Sequence, residues 1–344
     1  MERQRLLKLL EKIKGIHSAI IGDVCLDAYW HVDMKRSELS RETPYYTRPV
    51  VKEIYSGGAM ANVAANLSAL GVSNISLFSI LGKDWRGKIL LDIFKSFKFD
   101  TSGIIWEKNR FTPAYLKPVL QGYETQLEGE RYDFLTPGPP DSKTVEKLYT
   151  AFEEAVNSFD CVLVGDQVLN GVITEDLIDR LSYLAAEYGE GKQNIVFTAD
   201  SRTKIERFIH MVWKPNEIEA ARALGMDTLK SREKTGNKML EMGARLVFMT
   251  LGAEGCLLAE KNGTEHISGF KAFPPLDIAG AGDSFHAAMA VSLAAGSDPK
   301  EAAIMGNLAS SVTIKKIGTT GTASPEEILK VYRDHKANLS NLDY

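Results

Sequence analysis

Apolar positions along the chain fall into two recurring patterns. Short runs in which nearly every residue is apolar or small match strands buried on both faces: Ser18–Asp23, Ile75–Leu81, Val162–Gly165, Ile195–Asp200 and Leu246–Leu251. Between them, apolar residues recur at three- and four-residue spacing. That spacing predicts helices over Gly58–Leu70 (closed by Gly71), Trp85–Phe97, Glu175–Tyr188, Gly282–Ala295, Pro299–Lys315 and Pro325–His335. Strands alternating with helices predict an α/β fold, a doubly wound and mainly parallel sheet with helices on both faces. Ligands of such sheets bind beyond the carboxyl ends of the strands, where Asp23, Asp200, Thr250 and Gly252 stand. Met1–Lys14 alternates charge with Leu, which predicts an amphipathic helix and not a signal peptide.

Two segments break the alternation. Residues 29–55 and 111–134 are rich in Tyr, Thr, Val and charge, with internal Pro, and predict short strands with one wet face. Inserted β segments of this kind can pair into a small second sheet. The expected organisation is an α/β core of residues 1–28, 56–110 and 135–344 with inserted β segments at 29–55 and 111–134. Pro137-Gly-Pro-Pro140 marks the return to the core.

Composition narrows the function classes. The 344 residues are 44% hydrophobic and 25% charged, enough ordinary globular chain for a large core. A net charge of −4 gives no broad basic field, which argues against nucleic acid or an anionic membrane as a partner. The longest small-apolar run, Ala287–Ala295, is too short to span a bilayer. Three scattered cysteines without a C-x-x-C spacing argue against zinc or a disulfide framework and fit a cytoplasmic location.

Candidate chemistry concentrates in Asp277-Ile-Ala-Gly-Ala-Gly-Asp283, directly before an apolar helical pattern. A small-residue turn opening a helix leaves backbone N–H groups unpaired, and with the helix dipole they make an anion site. Asp283 at that point would repel a resting anion but suits a general base that draws a proton from a hydroxyl. The competing reading is a plain helix N-terminus capped by Asp283. Asn216 and Glu219, three apart after Pro215, share one face of a helix start and suit the waters of Mg²⁺; the same spacing also suits an ordinary acidic first turn. There is no G-x-x-x-x-G-K-[ST] and no protein-kinase H-R-D or D-F-G.

Three separated motifs resemble those of the ribokinase-like (PfkB) carbohydrate kinases: Gly57-Gly58-Ala-Met-Ala-Asn62-Val-Ala-Ala-Asn66, then Asn216-Glu-Ile-Glu219, then Asp277–Asp283. The resemblance runs from about Ile20 to about Val331. It implies an ATP-dependent, Mg²⁺-requiring sugar kinase with a β lid over the sugar site, and in several members that lid also makes a homodimer contact. It further implies Asp283 as base with an anion hole at Gly280, Ala281 and Gly282, and acceptor contacts at Asp27, Gly57, Gly58 and Asn62. Asn216 and Glu219 would hold Mg²⁺ through water. Lys214, Thr250, Gly252, Gly255 and Asn307 would meet the nucleotide, and Asp277 a monovalent cation such as K⁺. Ile278 stands where the family usually has Thr. Lys117 and Arg131, in the lid segment, are candidates for a substrate phosphate.

Within the family, Gly22-Asp-Val-Cys-Leu-Asp27-Ala-Tyr-Trp30 and Ser37-Glu-Leu-Ser40-Arg-Glu42-Thr-Pro44 resemble the D-glycero-D-manno-heptose-7-phosphate kinases of ADP-heptose synthesis. The chain departs from that subgroup at Glu38, where Arg is usual, and at Arg41, where Pro is usual. It also reads Gly165-Asp-Gln-Val-Leu-Asn170-Gly in place of Asp-Tyr-x-Lys-Gly, and Asp200-Ser-Arg202 in place of Asp-Pro-Lys. Two other readings stay open: a nucleoside or small-alcohol kinase of the same fold, and a non-catalytic sugar or nucleotide sensor.

Overall fold

The computed structural model describes residues 1–318 and 320–340, with backbone alone at 190–192 and 337–340. Position 319 and the last four residues of the 135–344 core segment lie outside the described residues. Helix α1 (Arg3–Ile13) is amphipathic as expected and buries Leu6, Leu9, Leu10 and Ile13. Strand β1 (His17–Gly22) follows, and after one residue the chain enters β2 (Val24–Asp33). β3 (Val50–Ala59) returns antiparallel to β2 and leads into α2 (Met60–Ala69). β4 (Asn74–Gly82), α3 (Trp85–Ser96) and β5 (Asp100–Glu107) form one flank of the core. β6 (Ala114–Gln121), β7 (Gln126–Glu128) and β8 (Tyr132–Phe134) rejoin β2 and β3.

The second half begins with α4 (Ser142–Ala155), β9 (Cys161–Asp166), α5 (Glu175–Leu184), β10 (Val196–Ser201) and β11 (Val212–Trp213). It continues through α6 (Glu217–Ala223), α7 (Arg232–Glu241), β12 (Leu246–Thr250), β13 (Gly255–Glu260) and β14 (Gly263–Ser268). The helices α8 (Ala281–Ala294), α9 (Pro299–Thr313) and α10 (Pro325–Ser340) close the chain. Among the described residues, nine strands form one sheet in the order β14-β13-β12-β11-β10-β9-β1-β4-β5. It is parallel except for β13 and β14. The second sheet orders β3-β2-β6-β7, with β8 also on β6.

The expected doubly wound core is therefore present. Alternate residues of its buried strands feed two separate cores. Ile20, Leu77 and Leu163 face α2, α8 and α9, while Ile21, Phe78 and Val164 face α4 and α5. Helix α8 is buried on nearly every side, from Ser284 to Ser292, which explains its run of Ala and other small residues.

Several boundaries differ from expectation. Gly57 and Gly58 lie on β3, paired with Leu26 and Cys25, and α2 begins only at Met60. A Cβ on Gly58 would come within 2.6 Å of Asp27 Oδ2 and Cys25 Sγ, so the glycine serves close strand packing and not a helix start. The small sheet begins at Val24, so Asp27 stands on it and not on the core. Helix α5 ends at Leu184 and the chain continues as a wider π-helical turn over Ala185–Lys192. The β13–β14 hairpin, an antiparallel extension of the parallel sheet, has no counterpart in the predicted elements, nor have β5, α4 and α7.

The passage from β1 to β2 is the tightest junction between the sheets. Gly22 has φ +144°, and a Cβ there would lie 2.2 Å from the Gly165 carbonyl oxygen. Asp23, next in line, is buried and accepts N–H groups from Gln167, Val168 and Val172 at 2.8, 2.8 and 2.6 Å. One carboxylate thus folds the loop after β9 against the end of β1. Removing it would orphan two buried N–H groups and a partly buried one. Asp23→Ala should therefore lower unfolding free energy by about 3 kcal/mol, read as a reduced urea midpoint at unchanged m value.

Candidate active site

Helix α8 starts from Gly280, which has φ +77° and caps the helix without any side-chain acceptor. The glycine is required there: a Cβ would lie 2.7 Å from Asn62 Nδ2. Ser284 N–H returns to the Gly280 carbonyl at 3.0 Å, so the turn is closed. The first-turn N–H groups of Gly282 and Asp283 precede the first possible intrahelical acceptor, and together with the helix dipole they suit an anion.

Two cavities meet at this turn. The larger, of about 540 Å³, lies between the two sheets. The small sheet contributes Cys25, Asp27, Gly58, Tyr115, Lys117, Arg131 and Asp133. The core contributes Gln167, Asp200, Arg202, Lys214, Asn216, Glu219, Gly280, Gly282 and Asp283. The smaller, of about 230 Å³, is lined by Thr250, Gly252, Gly255, Phe270, Ala281, Gly282, Phe285 and Asn307. Gly282 borders both, so the turn is the wall between them.

Asp283 is half-buried at the end of the larger cavity and accepts the Asn62 amide at 2.7 Å. Burial pushes its pKa up to about 6 against that hydrogen bond; the Asp200 charge adds to the rise and Lys214 opposes it. Lys214 is buried and pairs with Asp200 at 3.1 Å. Burial alone would lower its pKa, but Asp200, Glu219 and Asp283 outweigh burial and hold it above the ordinary lysine value. The register explains the pair. β11 lies beside β10 with Trp213 opposite Ala199, so the next residues, Lys214 and Asp200, emerge together at the strand ends.

Asn216 and Glu219 form a capping box at the start of α6: Glu219 N–H donates to Asn216 Oδ1 at 2.9 Å, and Asn216 N–H to Glu219 Oε2 at 2.8 Å. The capping reading of this pair is borne out, and the same two residues also line the larger cavity. The box uses Glu219 Oε2, and the residue also lines the cavity as a hard-oxygen carboxylate. That fits a cation such as Mg²⁺ that keeps several of its own waters. Burial raises the Glu219 pKa more than Lys214 lowers it.

On the small sheet, Lys117 lies 3.6 Å from Asp27 and donates to Tyr29 Oη at 3.3 Å. Burial raises the Asp27 pKa against the pull of Lys117. Arg131 pairs with Asp133 at 2.6 Å and packs over Tyr115. Asn62 is buried behind Asp283 and does not line the cavity, and Gly57 packs against Ala61. Asn307 donates to the carbonyls of Ile267 and Ser268 at 3.1 and 3.2 Å, beside the smaller cavity. Asp277 lines neither cavity; it accepts N–H groups from Ala279 and Gly318, both at 3.0 Å.

Gln167, Tyr115 and Asp133 line the larger cavity without having been singled out in the sequence. Gln167 follows the end of β9, where ligands of parallel sheets gather, so position alone could have found it. Tyr115 and Asp133 depend on the pairing of β6 with β8, for which the sequence holds no sharp signal.

The chain is 29% identical over 355 residues to the bifunctional protein HldE of Geobacter metallireducens, an alignment that takes in 100% of this chain and 69% of that protein. The fold matches the ribokinase of Thermotoga maritima with a TM-score of 0.69 at 21% identity, over 92% of this chain and 99% of that one. It matches Escherichia coli phosphofructokinase-2, solved in complex with potassium, with a TM-score of 0.71 at 19% identity, over 93% and 99%. Among the described residues no helix is long and apolar enough to cross a membrane. Residues 24–327 match the pfkB family of carbohydrate kinases, a span that holds both cavities and the turn between them, and the chain belongs to that family of phosphotransferases.

Proposed function

We propose that the chain transfers the γ-phosphoryl group of ATP to a hydroxyl of a phosphorylated sugar, with a heptose 7-phosphate as the acceptor. The observation that carries this reading is the Gly280–Gly282 turn, which separates a polar cavity holding Asp283 from a smaller apolar one. The smaller cavity suits an adenine and ribose between Phe270, Phe285 and the glycines Gly252 and Gly255. The triphosphate would then run toward Gly282, and the acceptor would fill the larger cavity. Asp283, ionised at neutral pH, takes the proton of the acceptor hydroxyl. The N–H groups of the first turn of α8 and the Lys214 ammonium bracket the transferring group as its charge spreads. Glu219 and Asn216 are the residues that would hold Mg²⁺ through its waters, and bound there it would neutralise phosphate charge. A monovalent cation at Asp277 follows from the family resemblance; both Asp277 oxygens take backbone N–H groups, so main-chain carbonyls would complete its shell.

A phosphorylated acceptor is favoured by charge. Lys117, Arg131 and Lys214 each have a carboxylate partner. Arg202 lines the same cavity, and its guanidinium has no carboxylate partner among the described residues. It also lines a second space of about 540 Å³ that shares Gln167 and Val168 with the first, so a chain longer than one ring can reach it. Arg202 takes the position of the lysine in the heptose-phosphate subgroup and offers a planar fork to a phosphate. The single aromatic wall, Tyr115, gives a nucleoside base no second stacking face. The small sheet would close over the acceptor. Its exposed Val50, Val51, Ile54 and Leu127 support a homodimer formed through that sheet.

ADP release should be measured with ATP and Mg²⁺ over free and phosphorylated sugars, heptose 7-phosphate included. Asp283→Asn should lower kcat by about 10³-fold with little change in KM. No effect of that substitution would end the proposal. Arg202→Ala should raise KM for the phosphorylated acceptor by about 10- to 100-fold and leave KM for ATP unchanged. In the pH profile, kcat should fall below about pH 6 as Asp283 takes up a proton, since only the ionised form is a base. Asn62→Ala removes a donor that stabilises the carboxylate, so the acid limb should move to higher pH.

A further inference from the structure

One buried titratable group near the turn has no place in the chemistry described so far. His286 lies one helical turn after Asp283 on α8 and is completely buried. Its Nε2 is 2.7 Å from Thr198 Oγ1. Its Nδ1 has no hydrogen-bond partner, and it points toward Asp200 Oδ2 at 4.0 Å. That same Oδ2 accepts Lys214 Nζ at 3.1 Å and Gln167 Nε2 at 3.0 Å.

The proton on the ring can be assigned from these contacts. If Nε2 carried it, the Thr198 hydroxyl would be left to reach the Val162 carbonyl at 3.5 Å, and a bare Nδ1 lone pair would face a carboxylate in a dry interior. If Nδ1 carries it, Thr198 donates a short bond to Nε2, and the Nδ1–H dipole points at the Asp200 anion. The second arrangement gives Thr198 its short bond and turns no lone pair toward the anion; the Nδ1–H, 4.0 Å from Oδ2, meets Asp200 through its dipole and not through a hydrogen bond. Burial pushes the imidazole pKa down to about 4, with Asp200 opposing, so the ring is neutral at working pH.

We propose that His286 is a positioning residue for phosphoryl transfer: as its Nδ1–H tautomer it orients Asp200, and through Asp200 it holds the Lys214 ammonium at the Gly280–Gly282 turn. Two hydrogen-bond donors, from β11's end and the β9–α5 loop, converge on one oxygen, and the Nδ1–H dipole of His286 on α8 faces that oxygen from 4.0 Å, which favours one orientation of the carboxylate. Lys214 Nζ then stands 3.7 Å from where a Cβ on Gly282 would be, beside the wall between the cavities. A loose Asp200 would let the ammonium turn toward Glu219 or Asp283, the two other carboxylates that act on it. Fixing one partner fixes which anion the lysine serves.

This inference rests on the phosphotransfer reading, and the test separates the two. In ¹⁵N NMR of the whole wild-type protein, His286 should be neutral at pH 7 with its proton on Nδ1. A proton on Nε2 overturns the inference whatever the activity. In kinetics, His286→Leu should lower kcat by about 10- to 100-fold with KM for ATP and acceptor changed less than about twofold. His286→Asn, whose amide can stand near the Nδ1 position, should recover most of that loss. Equal losses in the two variants, or a lowered Tm with kcat intact, would leave His286 a packing residue and overturn the proposal. If instead Asp283→Asn retains turnover while the tautomer is as stated, the phosphotransfer reading is the part that fails.

Discussion

Asp283 occupies a site where an ionised carboxylate is expensive to keep, and most of the surrounding structure bears on that cost. Burial and the neighbouring Asp200 both favour its neutral form, while Asn62, Lys214 and the start of a helix favour the anion. The balance depends on geometry set by one backbone conformation, the left-handed Gly280. Any side chain there would collide with the Asn62 amide that donates to the Asp283 carboxylate. A carboxylate so balanced keeps its charge at neutral pH and takes up a proton not far below it. The wall between the two cavities and the start of the buried helix behind it meet at that group.

A second balance sits beside the first. Asp200, Glu219 and Asp283 bring three carboxylates around one ammonium, and the small sheet adds the Asp27–Lys117 pair a short distance away. A cavity this rich in paired charge stays polar without becoming strongly basic or acidic. That is why the modest net charge of the chain says nothing about an anionic substrate. The information lies in which cation is left unpaired, and that is a property of side-chain geometry alone.

Legibility in the sequence tracks how local each determinant is. The core strands announce themselves because both faces are buried, so apolar residues run without interruption from Ile20 or Leu163 outward. The Gly280–Asp283 turn is legible because it is local, although small residues before a helix also suit a plain helix N-terminus and only the other two motifs separate the readings. The small sheet is harder. Its strands have one wet face, and Gly57 and Gly58 mimic a helix start although they serve strand packing against Cys25 and Asp27. Cavity residues such as Tyr115 and Asp133 depend on a register no short stretch of sequence specifies. The pairing of His286 with Asp200 joins a helix to a strand 86 positions away, and within its own helix His286 is only one more buried residue among alanines.

Helix α8 is enclosed by α2, α9 and the sheet over almost its whole surface, whereas the small sheet has much of its surface in solvent. Substitutions on α8 must fit a close-packed interior, so few are tolerated. Substitutions on the small sheet meet no such limit. The molecule thus holds one helix that drift can hardly touch and one small sheet that it can reshape. A descendant of this chain could rewrite the wet faces of β2, β3 and β6 while inheriting α8 and the turn before it intact.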